Sequence, residues 1–499
     1  MSLAPIYFKA EIRTIEEGAR TLPNAPKLME RAGQAAAKAV RAMLGECGRR
    51  VLVVAGPGNN GGDAFEVAAQ LKNWFYRVDV AFLGSTAKLS SDAALAFRKW
   101  RDAGGLELSK HPEAAVIARD YDLVVDGLFG IGLTRELEGR YASSVDAINQ
   151  STRPVLALDI PSGVNSDTGA VMGCAVRATR TLTFIALKPG LTTLDGPDYC
   201  GDISIDSLAL NVEGMRASRG HLLDDSMLGN ALSRRPMNFH KGNAGDVAIL
   251  GGARGMVGAA LLAGRAALLC GAGRVHVGLI DESAPRVDLS RPELMLRSAQ
   301  ELSHNATVFA AGPGMGRDEI AHALLTIAVG VKAALILDAD ALNLIAANEK
   351  LSQAVAARSS ATLLTPHPAE AGRLLAVSTR EVQTNRVEAA LQIARRYKAT
   401  VALKGNGTVI AAPDGRWWIN SSGHPGMASA GMGDVLTGMA ASLIAQGAEP
   451  IAGLCAAVWL HGAAGDALAI RHGGPLGTLA DDLGAQARLI LNRHLYAAR

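Results

Sequence analysis

Short β-branched runs recur along nearly the whole chain, most closing on a glycine- or aspartate-bearing turn, and alternate with Ala-rich helical stretches. Such runs suit strands buried on both faces, as in parallel sheets covered by helices. They predict strands at 50–55, 77–82, 122–125, 155–158 and 181–185. A second set falls at 246–250, 274–279, 307–311, 334–337, 361–364 and 400–403, with a hairpin of 408–412 and 417–420 around Pro413, Asp414 and Gly415. Between the sets, 211–238 loses the strand signal and is rich in charge and turn formers. A chain of 499 residues exceeds one ordinary domain. The expectation is two α/β domains, 1–216 and 217–499, with the boundary near 214–220 and no copying of one half by the other.

Bulk properties narrow the function. A net charge of +3 is too small to argue for nucleic acid or an acidic membrane surface, so neither is expected as a partner. The most apolar tract, 248–280, is broken by Arg254, Arg265 and Arg274 and by glycines, and predicts strand–helix–strand rather than a membrane span. No signal peptide is apparent at the N-terminus. The five cysteines (Cys47, Cys174, Cys200, Cys270, Cys455) are scattered, with no C-x-x-C pair, and suggest reduced thiols in a cytoplasmic protein. Ala- and Gly-rich helices would pack well in an assembly, and a homo-oligomer is expected.

In the first half, strand 50–55 leads into Gly56-Pro57-Gly58-Asn59-Asn60-Gly61-Gly62-Asp63. The glycines satisfy G-x-G-x-x-G, a weak pattern by itself, and a tight strand–helix turn would also need them. Asp79 lies inside strand 77–82 rather than at its end, which argues against the usual ribose-binding acid. No Lys-Ser/Thr follows the glycines, which excludes a Walker A loop. Two more strand tips carry Asp126-Gly127-Leu128-Phe129-Gly130 and Asp159-Ile160-Pro161-Ser162. Ligands bind at such C-terminal strand ends. Asn60, Asp126, Asp159 and Ser162 together offer two carboxylates and several oxygen donors, enough for a hard cation and one acid–base group.

In the second half, 420–438 puts Gly431-Met432-Gly433-Asp434 directly before an apolar helical run. Glycines and a helix N-terminus favour an anion. An aspartate there suits a base beside a phosphoryl group, taking a proton from an attacking hydroxyl. Lys404, between strand 400–403 and glycines, suits a nucleotide phosphate, although taken alone a surface hairpin lysine would be the commoner case. His367 sits in a rigid turn between two prolines. Asp338 and Asp340 are expected to cap the following helix.

The motifs GPGNNGGD (56–63), DGLFGIG (126–132), LDIPSGVNSDTG (158–169), LMERAG (28–33) and the Lys188-Pro189-Gly190 turn resemble the NAD(P)H-hydrate epimerase family, across most of 28–210. The resemblance implies a Rossmann-like three-layer domain that interconverts the R and S forms of hydrated NADH and NADPH. It implies substrate contacts at Asn59, Asn60, Gly61, Gly62 and Asp63, at Gly130, Ile131, Gly132, Leu133, Thr134, Arg135 and Glu136, and at Asp159. It also implies a potassium ion at Asn60, Asp126 and Ser162, with Asp159 as the acid–base group. Ala64 stands where that family commonly has glycine.

The motifs HKGNAGDVAILGGARGMVGAA (240–260), AAGPGMG (310–316), LDADALN (337–343), LTPHPAEAGRLL (364–375), LKGNGT (403–408) and AGMGDVLTG (430–438) resemble the ADP- or ATP-dependent NAD(P)H-hydrate dehydratases, over about 221–491. This second resemblance implies a ribokinase-like α/β fold. It implies a hydrate site at Ala253, Gly316, His367 and Asp434, and nucleotide contacts at Lys404, Gly405, Asn406, Gly407, Thr408 and Gly433, with ADP as co-substrate and Mg²⁺ bridging its phosphates. Ala369 replaces that family's common glycine after Pro-His-Pro. Two rival readings are a small-molecule kinase that releases a stable phosphate ester, and an N-terminal module that binds without catalysing.

Overall fold

The computed structural model describes residues 3–45, 48–302 and 305–496. Cys47 lies outside them. The chain forms two compact units, Pro5–Arg219 and Gly220–Arg499, the latter with residues 3–4.

In the N-terminal unit six parallel strands run in the order Arg77–Phe82, Arg50–Ala55, Leu123–Gly127, Val155–Leu158, Arg180–Phe184, Asp202–Asp206. Alternate residues of Arg50–Ala55 enter two separate cores. Val51, Val53 and Ala55 pack with Ile12, Ala36, Phe65 and Trp100. Leu52 and Val54 pack with Ile117, Val145 and Ile148. Helices therefore cover both faces, giving the expected three-layer Rossmann-like architecture. Strand order reverses between Arg50–Ala55 and Leu123–Gly127, and crevices for ligands open at such a switch point.

In the C-terminal unit the order is Gly220–Leu222, Trp417–Asn420, Thr408–Ala411, Thr400–Leu403, Thr362–Leu364, Ala334–Leu337, Val308–Ala311, Asp246–Gly251, Arg274–Leu279, Met295–Ser298. The hairpin strands pair antiparallel with each other, and Thr408–Ala411 pairs antiparallel with Thr400–Leu403. The apolar tract resolves into strand Asp246–Gly251, helix Val257–Leu269 and strand Arg274–Leu279. One helix, Pro450–His472, is long and apolar enough to cross a membrane, but Leu454, Ala457, Leu460 and Ala464 lie in the core.

The described cysteines are free thiols. Burial pushes all four thiols upward, Cys200 and Cys270 to about 12, so none is an activated nucleophile.

Candidate functional site

The glycines at the first strand tip act mainly through packing. A Cβ on Gly56 would stand 1.7 Å from the Leu128 carbonyl oxygen, and one on Gly61 1.9 Å from that of Gly56. Neither has positive φ, so close approach of backbone to backbone is the reason for glycine here. The helix Asn59–Asn73 begins at once. Ala64 is fully buried and faces Gly127, which accommodates its methyl group.

A cavity of about 780 Å³ opens beside this helix. Of the expected contact residues, Asn59, Asn60, Asp63, Gly130, Ile131, Gly132, Leu133 and Asp159 line it. Gly61 and Gly62 are buried behind the wall, and Thr134, Arg135 and Glu136 do not reach it.

Asp126 is completely buried at the adjoining strand tip. It accepts hydrogen bonds from the Ser162 amide (2.8 Å), the Ser162 hydroxyl (2.6 Å) and the Leu128 amide (3.2 Å). Burial outweighs these bonds and pushes its pKa to about 6. No described cationic side chain pairs with it, and the nearby Asn60 amide nitrogen is buried without a partner. A buried carboxylate, a hydroxyl and a free amide fit a monovalent cation: turned over, the Asn60 amide presents its oxygen.

Asp159 adopts a left-handed backbone conformation (φ 66°), a strained geometry that recurs at functional sites. The ammonium of Lys188, fully buried, donates to its carboxylate, to Thr183 Oγ1 (2.7 Å) and to the Phe184 carbonyl (2.8 Å). Residue types alone gave no role to Lys188. Its sequence signals are its place in the Lys188-Pro189-Gly190 turn and a lysine closing an otherwise apolar run, 184–187.

The C-terminal strand tips converge on a second cluster. Gly431 has φ 88° and precedes the helix Met432–Ala445, which puts Asp434 in the first helical turn. A Cβ on Gly433 would meet Lys404 Nζ at 3.1 Å and Asp338 Oδ2 at 3.5 Å. Lys404 Nζ donates to Asp338 Oδ1 (2.7 Å), and Thr437 Oγ1 donates to Asp338 Oδ2 (2.9 Å). Asp338 occupies the N-cap position of helix Ala339–Ala347 by backbone only, and its side chain caps nothing. The expectation of a capping carboxylate fails because a buried ammonium is a stronger partner than a helix amide. Asp340 likewise bonds the Gly316 amide (3.0 Å) and Arg317 Nε (3.0 Å) rather than its own helix.

Burial lifts Asp434 to about 7. The Asp338 charge adds to the rise, Lys404 opposes it and Asp340 adds a little more. Burial by itself would pull Lys404 down, but the Asp338 and Glu370 carboxylates hold it above its ordinary value.

Gly316 (φ 77°) lies against Ala253: a Cβ added to this glycine would stand 3.4 Å from the Ala253 methyl. The Ala253 amide donates to the Gly314 carbonyl (2.7 Å). His367 caps helix Pro368–Leu375, its Nδ1 accepting from the Ala369 amide (3.1 Å). Its Nε2 faces Glu370 Oε1 at 3.2 Å. Both ring nitrogens are engaged, so His367 is not a free base. The Lys404 amide donates to the Pro366 carbonyl (2.9 Å), which ties this turn to the lysine. Gly405, Asn406, Gly407 and Thr408 form the loop beyond. Buried Arg386 anchors that loop by donating to the carbonyls of Leu403, Lys404 and Gly407.

Comparisons with known proteins agree with this geometry. The family model described as NAD(P)H-hydrate dehydratase matches residues 247–488, and that described as YjeF-related protein N-terminus matches residues 25–190. The bifunctional NAD(P)H-hydrate repair enzyme Nnr of Coxiella burnetii is 38% identical, over 93% of this chain and 95% of that protein. The enzyme of the same name from Escherichia coli K12 is 38% identical, over 93% of this chain and 89% of that protein. The solved structure of an ADP/ATP-dependent NAD(P)H-hydrate dehydratase from Bacillus subtilis, co-crystallised with ATP and Mg²⁺, is 29% identical. It covers 55% of this chain and 98% of that chain, with a TM-score of 0.47. The C-terminal unit is an α/β domain that the dehydratase family model spans. Aligned with such relatives along nearly its whole length, the chain belongs to the family of bifunctional NAD(P)H-hydrate repair enzymes, which join an epimerase to a dehydratase.

Proposed function

We propose that residues 217–499 dehydrate the S form of hydrated NAD(P)H at the expense of ADP, and that residues 1–216 supply that form from the R epimer. Hydrated NADH carries a hydroxyl on C6 of its reduced nicotinamide ring, and hydroxide is a poor leaving group. Asp434 takes the hydroxyl proton while the oxygen attacks the terminal phosphorus of ADP and the bond to AMP breaks. The new ester leaves C6 as phosphate with the C–O electron pair. Loss of a C5 proton then restores the ring double bond. Products are NAD(P)H, AMP and phosphate.

Asp434 carries this reading. It is a half-buried acid titrating near neutrality, in the first turn of a helix and beside Lys404. A general base works best with its pKa near the working pH. The amides of the helix N-terminus stabilise charge on the phosphoryl oxygens. Among the described residues no cluster of three or more His, Cys, Asp or Glu side chains forms a metal cage. Mg²⁺ would therefore arrive on the nucleotide phosphates and neutralise them, as this ion commonly does.

In the first unit Asp159 is the acid–base group. Asn60, Asp126 and Ser162 would hold potassium, which would fix the Asp126 loop. Asn59, Asp63 and Gly130 to Leu133 would contact substrate in the cavity, whereas Gly61, Gly62, Thr134, Arg135 and Glu136 would act by shaping its walls. Ala253, Gly316 and His367 would frame the hydrate in the second unit, with Lys404 to Thr408 and Gly433 on the nucleotide.

The test is absorbance at 340 nm after adding protein, Mg²⁺ and ADP to mixed epimers of hydrated NADH, with ATP in a parallel arm. Complete recovery of NADH supports both activities. Recovery that stops when the S form is exhausted removes the epimerase. A lasting phosphate ester with no NADH favours the kinase reading.

The dehydratase also has a pH signature. A base must be ionised, so kcat/KM falls as pH drops below about 7. Asp338→Asn removes a repelling charge, so the inflection of the same profile should move to lower pH even as the overall rate declines. An unmoved inflection would assign the titration to another group.

A further inference from the structure

The helix Lys9–Arg20 turns Ile12, Ile15 and Ala19 into the core. Glu16 shares that face by helical spacing, at a position where an apolar side chain is the rule. Its carboxyl makes no hydrogen bond or ion pair with a described residue, and it lines the 780 Å³ cavity together with Asp63, Asp159, Ile131 and Phe184. We infer that Glu16 is the general acid of the epimerase, protonating the departing C6 hydroxyl while Asp159 takes the proton of the entering water. This inference rests on the proposed base role of Asp159.

Inversion at C6 needs chemistry on both faces of the ring. The nitrogen lone pair forms a C=N bond to C6 as the C6–O bond breaks. The hydroxyl leaves as water with the Glu16 proton. A second water adds to the opposite face of C6, gives its proton to Asp159, and the C=N pair returns to nitrogen. One water leaves and one enters. The proton lost by Glu16 appears on Asp159, and exchange with solvent resets both. A single carboxyl cannot serve both faces of one bound ring. Glu16 and Asp159 reach the cavity from separate elements, a helix and a strand tip.

The charges divide the labour. The carboxyls of Glu16, Asp63 and Asp159 are among those lining the cavity, and the buried ammonium of Lys188 is committed to Asp159. Burial pushes Glu16 upward and the Asp159 charge adds to it, with Lys188, Arg20 and Arg13 opposing. Asp63 is raised by burial, then by Asp159, Glu16 and Glu66.

The experiment uses the full chain without nucleotide, so that the dehydratase is idle. Pure S-hydrate is incubated in ¹⁸O-labelled water, and the R form and its label are followed by chromatography and mass spectrometry. Wild type, Glu16→Gln and Asp159→Asn are compared across pH. Glu16→Gln should lower the epimerisation kcat by about 100-fold or more, with KM within roughly twofold. Label incorporation should fall in parallel. The wild-type rate should decline on the alkaline side as Glu16 loses its proton, and that limb should vanish in Glu16→Gln. An unchanged N-terminal transition in calorimetry of the full chain verifies that Glu16→Gln keeps the fold of its own unit. Wild-type kcat in Glu16→Gln, a loss confined to KM, or inversion without label overturns the inference. If Glu16→Gln is normal but Asp159→Asn is slow, the inference alone fails. If Glu16→Gln is slow and Asp159→Asn normal, Glu16 stands as donor and the Asp159 reading fails.

Discussion

Asp434→Asn is expected to lower the dehydratase kcat by about 10²–10⁴-fold, the contribution of a positioned general base. The substitution keeps the shape of the side chain and leaves Gly431, with its left-handed backbone, to form the turn. Nucleotide binding should survive, because the helix amides and Lys404 remain and a negative charge near the phosphates has gone. Epimerisation should be untouched. The measurement is single-turnover formation of NADH from S-hydrate with saturating ADP. A variant that keeps its rate would move the base role elsewhere, with Asp340 the next carboxylate along the cleft.

Lys188→Met should be the most damaging change to stability in the N-terminal unit. It leaves the Asp159 carboxylate without its buried counter-ion, and breaking such a pair typically costs about 3–5 kcal/mol. For a unit of this size the corresponding transition should fall by on the order of 10 °C. Calorimetry of the full chain should show this loss in the N-terminal transition. The double variant Lys188→Met/Asp159→Asn should recover much of it, since no buried charge is then stranded. Asparagine also tolerates the left-handed conformation at 159, so Asp159→Asn keeps the backbone while removing the charge that buried Lys188 pairs with. Equal melting of the single and double variants would show that Lys188 acts through packing instead.

Central strands were the easiest part of this molecule to see in its sequence. Arg50–Ala55, Val155–Leu158, Arg274–Leu279, Ala334–Leu337 and Thr400–Leu403 have the bounds expected from their apolar runs, because burial between neighbouring elements forces such composition. Asp202–Asp206 and Met295–Ser298 were missed. Both are edge strands with a wet, partly polar character that imitates a loop. In the candidate sites, acids at strand tips stood out because the tip itself is a structural address. Glu16 and Lys188 did not, since each meets its partners only after chain segments far apart have folded together. Asp338 was visible as an N-cap, and its backbone is one. Its carboxylate follows Lys404, 66 residues away, and local spacing carries no record of that choice.

Arg386 ties down the loop that follows strand Thr400–Leu403. Three carbonyls of this loop are turned inward onto one guanidinium that is almost wholly buried. Opening the loop would strand a dehydrated cation and three oxygens at once, so local fraying is suppressed. That loop therefore moves with the core behind it, and a nucleotide bound there, as proposed, would meet a surface whose ordering entropy was spent when the chain folded.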